Sequence, residues 1–110
     1  MTNAPRVGPS FLAVADDIIS ISVRGLAGVA LQLSGTWTGT VTFEATVDGN
    51  TWVAFNMVPA ASATPASTAT AVGAWSANCG GYEAVRARFS TATSGTVRAV
   101  MQASEGAGRF

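Results

Sequence analysis

Gly39-Thr40-Val41-Thr42-Phe43-Glu44-Ala45-Thr46-Val47-Asp48-Gly49-Asn50-Thr51-Trp52-Val53-Ala54-Phe55-Asn56-Met57 is the stretch whose reading decides the fold. Val41, Phe43, Ala45 and Val47 alternate with Thr40, Thr42, Glu44 and Thr46. That is the two-residue period of a pleated strand with one face in a core. Asp48-Gly49-Asn50 then breaks the pattern with residues that tolerate positive φ and bond their own backbone, so a tight polar turn between antiparallel strands is predicted. Residues 51–57 form the return strand, with Val53, Phe55 and Met57 on one face and Trp52, Ala54 and Asn56 on the other.

The same period extends to both sides. Toward the N-terminus, Ile19, Ile21 and Val23 alternate with Ser20, Ser22 and Arg24, and Val29, Leu31 and Leu33 with Ala30, Gln32 and Ser34. Gly25, Gly28 and Gly35 punctuate these two strands. Residues 59–71 hold Ala, Ser, Thr, Pro59 and Pro65 without charge or aromatic, and show no amphipathic stripe, so a loop is expected. Strands are predicted over 75–79, 84–90 and 96–103, with turns at Gly80-Gly81 and Thr93-Ser94-Gly95. Seven or eight short strands without a helix call for an all-β fold, a single antiparallel β-sandwich or jelly-roll-like domain over 16–104. Residues 1–15, with Pro5, Gly8 and Pro9, read as an extended N-terminal arm ordered by a neighbour, and 105–110 as a flexible C-terminal tail.

Composition narrows the function. The 110 residues carry six acids and six bases, for zero net charge, and only 11% of them are charged, less than half the roughly 25% of ordinary domains. A chain of this length buries enough surface for one core without disulfide or metal. All six bases are arginine, and with no net positive charge there is no footprint for a phosphate backbone, so nucleic acid is not an expected partner. No apolar run suits a membrane span or a signal peptide, so the protein is expected to be made in a cytoplasm and to stay there or leave by cell lysis. The single Cys79 has no partner for an internal disulfide and reads as a small buried hydrophobe.

Catalysis and metal binding are not expected. Histidine and lysine are absent, no serine sits in a G-x-S-x-G setting, and spacing pairs none of Asp16, Asp17, Glu44, Asp48, Glu83 and Glu105. No cofactor is implied. Asp48-Gly49-Asn50 holds only part of a calcium loop, and the turn explains it. A nearly uncharged surface instead favours association with other subunits.

Two constellations remain as candidate sites. Arg86, Arg88 and Arg98 fall on the outward faces of consecutive strands, which predicts a cluster on one sheet surface with Glu44 and Glu83 as partners. Such a cluster is either a solvated ion-pair group or, with Phe11 and Phe110, an interface toward carboxylates of a neighbouring subunit. Trp37, Trp52 and Trp75 are candidates for a sugar-stacking platform, or else cap the sandwich and fill subunit contacts.

Residues 33–53 resemble a strand-turn-strand pattern of small structural proteins of tailed bacteriophages and prophages. The resemblance continues through Gly73-Ala74-Trp75-Ser76-Ala77-Asn78, Gly81-Tyr82, Val85-Arg86-Ala87-Arg88 and Thr93-Ser94-Gly95-Thr96-Val97, covering roughly residues 29–103. Thr46 and Cys79 depart from it, standing where a serine and an apolar residue are expected. The resemblance implies a virion component with a β-sandwich fold and no catalytic residues. The expected role is a capsid decoration (cement) protein on the capsid exterior, bound to the major capsid protein lattice as a homotrimer at local threefold positions. The alternative is a tail, baseplate or fibre component whose tryptophans bind a host glycan.

Overall fold

Strands form where apolar and polar residues alternate, and they end where glycine or an Asx turn breaks the period. A computed structural model describes residues 5–105. Among these, the strands are β1 (Arg6–Leu12), β2 (Ile18–Ser22), β3 (Gly28–Ser34), β4 (Trp37–Thr46), β5 (Val53–Ala54), β6 (Val58–Pro59), β7 (Thr68–Ala69), β8 (Gly73–Asn78), β9 (Ala84–Gly95) and β10 (Val97–Ser104). They make two five-stranded antiparallel sheets. One runs β1-β10-β3-β8-β6; the other runs β2-β9-β4-β5, with β7 also pairing β4. The protein is an all-β sandwich.

The alternation read from sequence places the core. Ile19, Ile21, Val41, Phe43, Ala45, Val85, Ala87 and Phe89 bury from one sheet, and Leu12, Val29, Leu31, Leu33, Val97, Ala99 and Met101 from the other. Phe43 meets Trp75 across the sandwich with ring centroids 5.5 Å apart, within the range where aromatic pairs add to area burial. Residues 59–71 contain no helix, and their Thr68–Ala69 step adds to the β4 edge.

The pattern breaks at two predicted core positions. Val47 and Val53 are exposed, while Phe55 and Met57 are buried as expected. Val47 lies beyond the end of β4, and the return strand pairs with β4 only briefly, through Val53, Ala54 and the Phe55 N–H that donates to the Phe43 carbonyl at 2.9 Å. The turn itself matches expectation. Gly49 takes φ 81°. Asp48 Oδ1 accepts the N–H groups of Asn50 and Thr51, both at 2.8 Å, and the Thr46 hydroxyl at 3.0 Å. Thr46 Oγ1 in turn accepts the Gly49 N–H, which satisfies a buried hydroxyl.

The expected N-terminal arm is corrected in part. Residues 6–12 form a strand against β10, with Arg6 opposite Gln102 and Leu12 opposite Val97. Leu12 is buried in the core, so this segment is an edge strand of the sandwich. The irregular register between Val7 and Ser10 hides its period from a sequence reading. Residues 1–4 of the expected arm and 106–110 of the expected tail lie outside the described residues.

Candidate functional site

Sheet register sets the chemistry of the β2-β9-β4 face. Ile18, Arg88 and Thr42 form one row across it, and Ser20, Arg86 and Glu44 the next. Arg86 and Arg88, two residues apart on β9, therefore flank the Glu44 carboxylate. Arg86 Nε donates to Glu44 Oε1 at 2.7 Å. Arg88 reaches both carboxylate oxygens, Nε to Oε1 at 3.3 Å and Nη2 to Oε2 at 3.2 Å, and its Nη1 donates to Asp16 at 2.8 Å. On the other flank the Arg86 guanidinium lies 4.2 Å from the Trp52 ring centroid, a cation–π contact.

The electrostatics follow from this geometry. Burial pushes the Glu44 carboxyl up, but the hydrogen bonds and charges of Arg88 and Arg86 outweigh it and hold Glu44 below the usual carboxylate range. Hydrogen bonds to Glu44 and then Asp16 raise Arg88. The Glu44 side chain is only 12% exposed. Two guanidinium groups face two carboxylates, so the network closes on itself with no charge left over.

Arg98 does not join this cluster. It sits on β10, which belongs to the other sheet, where its neighbours across the register are Phe11 and Ser34. The expectation of one arginine surface fails because the chain changes sheets between β9 and β10. That crossing runs beside the β3–β4 crossing, with Thr96 N–H donating to the Thr36 carbonyl at 3.1 Å. Glu83 pairs with Arg24 at 3.0 Å rather than with the β9 arginines. Phe11 is exposed beside Arg98. Phe110 lies outside the described residues.

The tryptophans are engaged by the fold. Trp75 is buried against Phe43. Trp37 packs edge-on against Phe89 at 5.8 Å, and its buried Nε1 has no hydrogen-bond partner among the described residues. Trp52 carries the Arg86 guanidinium on its ring. Cys79 is buried, and burial pushes its thiol up.

The outer face of the other sheet holds a feature that the residue patterns did not suggest. An open depression of ≈ 660 Å³ is lined in part by Ala30, Val58, Ser76, Asn78, Gln102 and Ser104. Its lining is uncharged. The small outward residues of β3, β8 and β10 produce it, and knowing that these strands are neighbours requires the strand order.

These features define a class of protein: a two-sheet β-sandwich with a self-neutralised charged face and an uncharged concave face. Solved structures share the architecture. The SPBc2 prophage-derived protein YomS is similar over 94% of this chain and 97% of its own, with TM-score 0.74 and 12% identity. The PBSX exported protein XepA is similar over 92% of this chain, with TM-score 0.82 and 19% identity. This chain spans 37% of XepA's length. At these identities the likeness is one of fold. No protein-family model matches the chain, and no curated protein sequence does.

Proposed function

We propose that this chain is a non-enzymatic structural protein of a bacteriophage particle, and that it acts there as a capsid decoration protein on the exterior of the major capsid lattice. The observation that carries the phage assignment is the end-to-end likeness to a prophage-derived protein, 94% of one chain against 97% of the other. The decoration role is supported by surface chemistry: zero net charge, and large apolar side chains such as Phe11, Val14 and Val72 left exposed. Repeated copies would bridge adjacent capsid subunits and add buried contact across seams that internal pressure opens.

A glycan-binding role receives less support, because Trp37 and Trp75 pack into the fold and Arg86 occupies one face of the Trp52 ring. Mixing the purified protein with capsid shells lacking it, then pelleting the shells, tests the decoration role. Saturable co-pelleting and a raised shell melting temperature are expected. Absence of binding to shells overturns it.

A further inference from the structure

β2 differs from the other sheet edges in having none of the features that discourage pairing with another chain. β1 is interrupted by Pro9 and an irregular register, β6 contains Pro59, and β5, β6 and β7 are two residues long each. Ile18–Ser22 has five residues in regular register, with no proline, no charge and no bulge.

Its backbone faces outward in a defined pattern. Phe89 N–H donates to the Asp17 carbonyl and Val23 N–H to the Glu83 carbonyl, both at 2.9 Å, so the odd-numbered residues bond β9. The N–H and C=O groups of Ile18, Ser20 and Ser22 therefore point to the free edge.

The flanking charges choose the occupant. Asp16 and Asp17 precede β2 and Arg24 follows it. An antiparallel pairing of β2 with itself, centred on Ser20, sets Ile18 opposite the partner copy's Ser22 and brings Asp16 toward the partner copy's Arg24. The side chains of Asp16 and Arg24 are 73% and 81% exposed even while held by Arg88 and Glu83. Ile18 is exposed on the same strand, with Val14 in the segment before it.

We propose that β2 is a self-association edge, along which two copies of this chain join antiparallel about a two-fold axis at Ser20 and merge their β2-β9-β4 sheets. Such a contact is isologous and closes at two copies, in place of the threefold expected from sequence.

Sedimentation equilibrium on the full chain tests this. The wild type is expected at twice 11.1 kDa. Ser20→Pro removes an outward N–H and leaves the β9 ladder intact, so it should weaken association about tenfold or more. Ser20→Lys should act in the same direction, with circular dichroism used to check that both variants are folded. Ser20→Cys faces its own copy at a spacing a disulfide can bridge, so mild oxidation should give a covalent dimer, whereas Ile18→Cys should stay unlinked. A wild type that sediments at 11.1 kDa at every concentration, a folded Ser20→Pro that associates as the wild type does, or a Ser20→Cys that fails to cross-link overturns the proposal. A trimer indifferent to both Ser20 variants does so too, by placing assembly on another surface.

Discussion

Glu44 holds the charged face of β2-β9-β4 together, because two arginines depend on one carboxylate that is 12% exposed. Glu44→Gln is expected to destabilise the protein by about 2 kcal/mol at neutral pH, the scale of hydrogen bonds to a charged group. The pH dependence has a defined sign. A carboxyl whose folded pKa lies below its ordinary 4.5 contributes stability that is complete above that value and is lost as pH falls through the folded one. Urea unfolding should therefore show a wild-type advantage at pH 7 that closes in acid; an unchanged gap at about pH 3 contradicts this role for Glu44. Arg86 and Arg88 were legible as an outward pair on one strand. Glu44 was legible as one of two candidate partners, but choosing it over Glu83 needed the antiparallel register that sets Glu44 beside Arg86, which joins residues far apart in sequence.

At the scale of the element, the long alternating strands were legible, because burying one face fixes a period that composition cannot disguise. The edges were not. β1 was hidden because Gly8, Pro9 and the shifted register interrupt its alternation, although Leu12 reaches the core. Leu12→Ala is accordingly expected to cost about 2–4 kcal/mol, as for a buried leucine truncated in a packed core. A chemical-denaturation midpoint equal to that of the wild type would mean that this segment behaves as a detached arm. The misplacement of Arg98 has a related cause. Local patterns show that β9 and β10 are strands but do not show that the turn between them carries the chain to the opposite sheet.

At the scale of the molecule, the closed ion network and the uncharged concave face suit contact with protein more than recruitment of a charged ligand. Tryptophan fluorescence should stay unchanged on titration with simple sugars or cell-wall polysaccharide, since Trp37 and Trp75 pack into the fold and Arg86 occupies one face of the Trp52 ring. A saturable shift or quench would instead favour a glycan-binding face. Quantitative mass spectrometry of purified phage particles tests the proposed structural role in the particle. This protein is expected in the particle at a copy number approaching that of the major capsid protein. A few copies per particle would move it from the head lattice to the tail, and complete absence from particles would contradict the structural role itself.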